Sequence, residues 1–372
     1  MTIIRAVETK KDLKDFINVP KVIYKDDPNF IAQLDYERLA HFSPKNPFFE
    51  HATVQFWVAY DEDNTLIGRV SAQMNELAPD GEGHFGCIEA NTHETLKDLM
   101  VEAEKWLKDQ GTRTVMGPYA LSINDEVGLL VDGYDDPPQM MMNYAPRWYA
   151  QSLEGLGYTK AKDVVAMYKS IKDPIPPALT RMTRKFLNND SVVERQFDMS
   201  KYREDLDIIL DIFNDAWSTN WGFIPMTPNE VTYMANSLKP ILNPKFARIC
   251  WVDNKPAAMI VALPDLNEII SGFNGKLFPF NWLKLLWRLK VKKTKRVRVV
   301  LMGVSKTFQG TSMSGALAAY VITKVHEAFE NDGKVEDIEM SWMLEDNTNM
   351  IRIIQATKGY VYKTYRVYQK NL

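Results

Sequence analysis

The sequence predicts an α/β protein built from two similar units in tandem, and three observations carry that expectation. Its 372 residues, 45% hydrophobic and 25% charged, suit a globular protein but exceed one typical domain. Glycine and proline punctuate the chain into short strand-like and longer helix-like stretches. The order of those stretches in the first half then recurs in the second. Two unrelated α/β halves would give a similar alternation, and the residues alone leave that alternative open.

The elements follow in order. VQFWVAY (54–60), the turn DEDN and LIGRVSAQ (66–73) read as two strands joined tightly. Asn91 with Glu94 forms a capping box, and Leu96, Leu99, Ala103 and Trp106 make one apolar stripe that stops at Gly111. LEGLGYTKAKDVVAMYKS (153–170) runs from a helix through Gly157-Tyr158 into a strand. PIPP (174–177) and the polar stretch Asn188–Ser191 mark a linker, which gives units at 1–173 and 190–372. In the second unit, Ala247–Val252, DNKP and Ala257–Leu263 repeat the strand pair. A helix with Leu317, Val321, Val325 and Ala328 on one face ends near Asp332-Gly333. IIQATKGYVYKTYRVYQK (353–370) repeats the helix, Gly359-Tyr360 and strand of the first unit's end.

Composition excludes several functions. The formal net charge of −3 gives no global attraction to nucleic acid. Cys87 and Cys250 lie far apart, and His41, His51, His84, His93 and His326 form no H-x-x-x-H pair, so no metal is expected. MTIIRAVETKKDLKDF carries no long apolar run, so neither a signal peptide nor a membrane span is expected, and the cytoplasm is the expected location.

One loop points to a ligand. In VSKTFQGTSMSGAL (304–317) a strand enters a small polar loop that opens a helix. Helix N-termini carry unpaired amides and a partial positive charge, which attract phosphate. Ser312 or Ser314 acting only as a helix cap is the competing reading. The matching run of the first half, HFGCIEANTHETL (84–96), has no such cradle and places Glu94 in the first turn, which repels pyrophosphate. One phosphate site is therefore expected, in the second unit, with the first unit shaping an acceptor pocket.

Other candidates are spread along the chain. Asp125 and Glu126, in a polar run before Gly128, are candidates to receive an amine, although such runs are commonly turns. Trp217, Asn220 and Trp221 combine polar tips with large apolar area, as a pocket for a long apolar substrate requires, and as an aromatic core also would. FPFNWLKLLWRLKVKKTKRVR (278–298) holds eight basic residues and no acid, with Trp282, Leu285, Leu286 and Leu289 at helical spacing after a capping Asn281. It reads as a membrane-surface element at the inner face or as a lip for a lipid substrate, against the plainer reading of a packed helix with a solvated basic side.

The second half, with strand VRVVLMGVS (297–305), loop QGTSMS (309–314), helix, strand IEMSWMLEDN (338–347), short helix, Gly-Tyr and strand, resembles the core of the GNAT superfamily of acyl-CoA-dependent N-acyltransferases. NDAWSTNWGF (214–223), SWMLEDN (341–347) and GLLVDGYDDPP (128–138) are similar to a branch of long bacterial GNAT-like proteins that includes the bacterial ceramide synthases. The resemblance implies two GNAT-like units with mixed central sheets flanked by helices, and coenzyme A or acyl-CoA as co-substrate. It implies that Gln309, Gly310, Thr311, Ser312, Met313 and Ser314 hold the pyrophosphate, with serines at the two positions where the family's [RQ]-x-x-G-x-[GA] loop ends in glycine and a small residue. It also implies that Met302, Gly303 and Val304 meet the thioester on the strand before, and that Asn347 takes a position where the family often has asparagine.

Acylation of an amine needs a base, an oxyanion donor and a proton for the thiolate. Glu339 and Glu345 are the candidate bases, each also readable as an ordinary strand or turn charge. The resemblance implies a tyrosine acid where this chain has Ile354, and Tyr360 is the substitute by proximity, with Tyr362 and Tyr365 beside it. The expected function is acyl transfer from acyl-CoA to an amine, with a sphingoid or other lipid amine as acceptor. Two readings stay open beside it: a tandem-GNAT transferase that takes aminoacyl groups from tRNA, and a non-catalytic acyl-CoA- or lipid-binding protein.

Overall fold

The computed structural model describes residues 2–187 and 189–372; Asn188, at the start of the expected linker's polar stretch, lies outside them. The chain begins with β1 (Ile3–Ala6), α1 (Lys10–Ile23), α2 (Asp35–His41), β2 (Ala52–Tyr60), β3 (Leu66–Asn75), β4 (Glu82–Ala90) and α3 (His93–Asp109). It continues through β5 (Thr114–Gly117), β6 (Leu129–Asp132), α4 (Trp148–Gly155), β7 (Thr159–Ser170) and α5 (Pro177–Leu187). The second series is β8 (Val192–Gln196), α6 (Tyr202–Trp217), α7 (Pro228–Leu238), β9 (Ala247–Val252), β10 (Lys255–Pro264), α8 (Leu266–Ile270) and α9 (Asn281–Trp287). It closes with β11 (Arg296–Val304), α10 (Ser314–Asp332), β12 (Asp337–Leu344), α11 (Thr348–Ala356) and β13 (Tyr360–Asn371).

These elements form two compact units, residues 1–164 with 270–285 and 363–372, and residues 165–269 with 286–362. Within the first unit the strand order is β1-β2-β3-β4-β5-β13, with β6 also on β13; within the second it is β7-β12-β11-β10-β9-β8. Both are mixed, because β4 pairs β5 and β11 pairs β12 in parallel while their other neighbours are antiparallel. The C-terminal strand thus closes the first unit, where Tyr368 faces Gly117.

Local chemistry explains the elements. The β2–β3 turn is held by the Asp61 carboxylate, which accepts the amides of Asp63 and Thr65. The β9–β10 turn places Asp253 and Asn254 at φ 50° and 59°, a conformation that short polar side chains tolerate. α3 is capped by Thr92, whose Oγ1 accepts the Thr95 amide, and not by Asn91, whose side chain accepts the Thr95 hydroxyl. The expected linker carries α5, which buries Leu179 and Phe186 and sets the Phe186 ring 5.7 Å from that of Tyr320 on α10. Asn281 starts α9 and donates its side-chain amide to the Lys276 carbonyl.

Phe16, Phe42, Phe56 and Val58 anchor one core cluster of the first unit. In the second unit Val297, Ile338, Leu317, Val321 and Val325 seal α10 against β11 and β12. α6 covers the other face of β11 at Gly303, where an added Cβ would lie 3.3 Å from that of Ala216. Among the described residues no helix is long and apolar enough to cross a membrane.

Candidate functional site

β11 and β12 are paired only from Arg296–Asp337 to Val299–Met340. At that point β11 carries a bulge: Val261 and Ala262 of β10 face Leu301 and Val299, leaving Val300 unmatched. A bulge bends its strand and ends regular pairing. β11 therefore keeps its bonds to β10 as far as Val304 while β12 departs, and a cleft opens between them.

The cleft has an empty volume of ≈ 960 Å³ including its open mouth. Its lining is mainly apolar, with Met302, Met340, Trp342, Ile322, Phe329 and Ile354 prominent. Trp217 donates its Nε1–H to the Met302 carbonyl at 3.4 Å, and its ring lies 5.7 Å from that of Trp342. Asn220 and Asn347 also line the cleft, Asn347 while capping α11 by accepting the Met350 amide. Trp221 is half-buried and outside the lining.

Beyond the open strand lies the loop. Gln309 donates its side-chain amide to the Val304 carbonyl at 2.8 Å, tying the loop to the strand end. Asp215 on α6 accepts the Ser305 hydroxyl and the Lys306 amide. Gly310 turns through φ 73°, Thr311 and Ser312 are exposed, and the Thr311 hydroxyl donates to the Phe308 carbonyl. α10 starts at Ser314 without any side-chain cap; the residue at the cap position is Met313, so neither serine fills it. The amides of Gly315 and Ala316 meet no protein acceptor among the described residues, and the first turn holds no acid. Such an end is a ready anion site.

The proton-transfer candidates are placed unequally. Glu339 is fully buried and outside the cleft lining. Its carboxylate accepts the Ser341 and Tyr362 hydroxyls, and Arg298 lies 3.6 Å away while also bonding Ser341 at 2.7 Å. Glu345 is half-buried in the turn directly after Leu344, which lines the cleft. Tyr360 is 56% exposed, with its ring 5.5 Å from that of Tyr168.

The sequence reading missed Lys169 and His326, buried polar residues on the cleft wall. Burial, helped by the Lys169 charge, pushes His326 down to about 4, and burial lowers Lys169. His326 sits one residue from Val325 on the apolar stripe of α10, and that adjacency is the one signal the sequence offered.

In the first unit, Glu126 lies on a separate cavity and bonds Arg38 at 2.9 Å; Asp125 lies in the adjoining turn, its amide on the Ser122 carbonyl. Among the described residues no group of three or more His, Cys, Asp or Glu stands together as a metal set.

No family model matches the chain. Among solved structures, a tandem GNAT protein from the clavulanic acid biosynthesis pathway superposes with a TM-score of 0.58 at 9% identity, covering 100% of this chain and 98% of that one. A GCN5-related N-acetyltransferase from Sphaerobacter thermophilus gives 0.54 at 12% identity, covering 100% and 95%. These likenesses establish the tandem GNAT fold. By sequence, Protein YghO of Escherichia coli (strain K12) is 39% identical over 376 residues, 100% of this chain and 95% of that one. A protein of Caulobacter vibrioides (strain NA1000 / CB15N) named bacterial ceramide synthase is 40% identical over 373 residues, 98% of this chain and 96% of that one. With identity of this extent, and with this fold, the chain belongs to the family of these two proteins, a branch of the tandem GNAT-like acyltransferases.

Proposed function

We propose that this acyltransferase moves an acyl group from acyl-CoA to the nitrogen of an amphipathic amine, a sphingoid or other long-chain lipid amine. The apolar cleft between β11 and β12 carries the reading, with the uncapped α10 N-terminus following β11 in the chain. Gln309–Ser314 and the Gly315 and Ala316 amides hold the pyrophosphate, and the pantetheine arm follows the open edge of β11. The name of the Caulobacter relative, bacterial ceramide synthase, supports the lipid amine.

The amine attacks the thioester carbonyl, forming a C–N bond and a tetrahedral oxyanion that backbone amides of Met302–Val304 stabilise. The C–S bond then breaks, coenzyme A leaves as the thiolate, and the proton lost by the amine balances the thiol formed. Of the two carboxylates we assign the base to Glu345, because Glu339 is already held by two hydroxyls and Arg298. Tyr360 remains the proposed thiolate acid, since Ile354 cannot transfer a proton.

We also place residues 278–298 on the inner membrane surface. Phe278 and Phe280 are more than 70% exposed, Trp287 is 55% exposed, α9 buries no residue, and Lys284, Lys290 and Lys292 stand among them. An exposed apolar run laced with cations suits an anionic bilayer.

The test is thiol release from palmitoyl-CoA with a panel of amines that includes sphinganine, beside calorimetric titration of acetyl-CoA and palmitoyl-CoA. Release with the lipid amine supports the reading. Failure of both thioesters to bind up to millimolar concentration overturns it. Binding without release favours the non-catalytic reading, which Ile354 and the engaged Glu339 would fit. For the membrane, co-sedimentation with phosphatidylglycerol vesicles should fall for a Trp282→Ala/Trp287→Ala variant, and equal, negligible pelleting counts against contact.

A further inference from the structure

The apolar cleft of the second unit meets one polar atom that no protein group satisfies. β11 and β12 stay paired as far as Val299 and Met340, so the cleft is closed at that level and open beyond Met302. A helix that joins two parallel strands runs antiparallel to both. The later turns of α10 therefore stand beside the closed end, where Val325, His326 and Phe329 line the cleft with Ile338.

His326 is 4% exposed, and its Nε2 is buried without a hydrogen-bond partner among the described residues. The other side of the ring is engaged. The Asp173 backbone bonds it and favours its protonated form, as an accepting carbonyl does, and the Glu330 carboxylate lies 3.6 Å from Nδ1. Because Nε2 has no partner, that bond belongs to Nδ1, which carries the ring proton. Burial and the Lys169 charge keep the imidazole neutral at pH 7. Nε2 is then an acceptor only.

Neighbouring donors are engaged elsewhere. Lys169 donates to the carbonyls of Ser170 and Asp173. Ser341 donates to Glu339, and Thr357 to the Ile354 carbonyl. A buried acceptor left bare is costly, so a ligand that fills the cleft gains by bringing the donor itself.

The chemistry of that donor is narrow. A carboxylate would set a second acceptor against Nε2. An ammonium would be repelled by Lys169 and would carry its charge into hydrocarbon. A hydroxyl brings a donor and no charge. We propose that the acyl group this cleft takes is a hydroxylated fatty chain, whose O–H donates to His326 Nε2 while its hydrocarbon lies on Val325, Phe329 and Ile338. The inference rests on the acyl-CoA reading above and names the class of acyl group within it. No bond of the hydroxyl changes during transfer, so His326 selects the chain and takes no part in the chemistry.

The experiment is calorimetric titration of the full chain, without any amine, using palmitoyl-CoA and its 2-hydroxy, 3-hydroxy, 12-hydroxy and 16-hydroxy derivatives. At least one hydroxylated thioester should bind about tenfold more tightly than palmitoyl-CoA. In His326→Leu that advantage should vanish, and His326→Gln, which restores an acceptor, should recover part of it. An advantage that persists in His326→Leu overturns the proposal. A tenfold loss of affinity for coenzyme A itself in that variant would put a pantetheine amide on Nε2, and also overturns it. So does equal wild-type binding of every thioester, a comparison that needs no variant to fold. That last result leaves the acyl-CoA reading standing, whereas failure of every thioester to bind overturns both.

Discussion

The two units use the same strand for opposite ends. β4 and β11 both run parallel to the following strand for only a few residues, and both carry a bulge beyond that pairing. In the second unit the space beyond stays open as an apolar cleft. In the first the chain refills it: after β5, the Tyr119 amide donates to the Phe85 carbonyl, and Gln73 bonds the carbonyls of Tyr119 and Leu121. What remains there is a charged cavity beside the plug. The helices that follow differ in step, since α3 is capped by Thr92 and carries Glu94, whereas α10 is uncapped and free of acid in its first turn. One backbone plan thus yields an apolar cleft in the second unit and a cavity lined by charges of both signs in the first.

The sharpest way to break the contrast is at Gly86. A Cβ there would overlap the Tyr119 carbonyl, a backbone atom that cannot swing aside. Gly86→Ala should cost more than about 4 kcal/mol, by overpacking, and lower the first transition in urea. The comparison is Gly310→Ala in the second unit, at φ 73° with open space around it, where backbone strain alone costs about 1 kcal/mol. Equal losses would mean that the plug does not rest on Gly86.

The units should also answer pH in opposite directions. Glu89, raised to about 7 by burial, is protonated in both states below the ordinary carboxylate value, so its folding cost appears as pH rises towards 7 and is complete above it. His326, lowered to about 4, is neutral in both states above 6.5, so its cost appears as pH falls from there to about 4. Shifts of this size are worth about 3 kcal/mol at their limits. Relative to wild type, Glu89→Gln should gain stability as pH rises from 4.5 to 7, and His326→Leu as it falls from 6.5 to 4. Hydrogen exchange of strand amides in each unit reads the two effects separately, and parallel profiles would deny them.

Much of this was legible in the residues because it is local. Strand pairs bounded by DEDN and DNKP, an amphipathic α10 ending at Gly333, and Gly-Tyr before each closing strand are patterns of neighbours. The α10 entry was legible for the same reason. What was hidden depends on pairing between distant segments. Nothing in IEMSWML states that Glu339 turns to Arg298 and Tyr362 while Met340 and Trp342 turn to the cleft, since that follows from the register with β11. Asn91 looked like the cap because it precedes Glu94 by three residues, but Thr92 stands one residue nearer the helix and its hydroxyl reaches the Thr95 amide. The C-terminal strand's place beside β5 left no local trace at all.

Gly315→Asp tests the anion site directly. An acid in the first turn stabilises a helix by about 0.3–1 kcal/mol, so the variant should fold at least as well as wild type. It should nevertheless bind coenzyme A roughly tenfold more weakly, about 1.4 kcal/mol, through repulsion of the pyrophosphate. Adding acid to α3, which already has Glu94, should leave that affinity unchanged. Loss in neither variant would move the phosphate away from α10.

The smallest effect is expected at Ser312. The loop resembles one with glycine at that position, and two physical reasons for glycine have to be separated. The first is access to positive φ, and the structure meets that need at Gly310 instead, so Ser312 has no conformational cost to relieve. The second is close approach of the backbone to the ligand, which a Cβ hinders. Ser312 is exposed and is not the α10 cap, so its removal costs the helix nothing. Ser312→Gly should therefore tighten coenzyme A binding by a few-fold at most, about 1 kcal/mol or less, with unchanged stability. Weaker binding would show that the hydroxyl itself donates to the phosphate, and that the serine replaced glycine with a contact of its own.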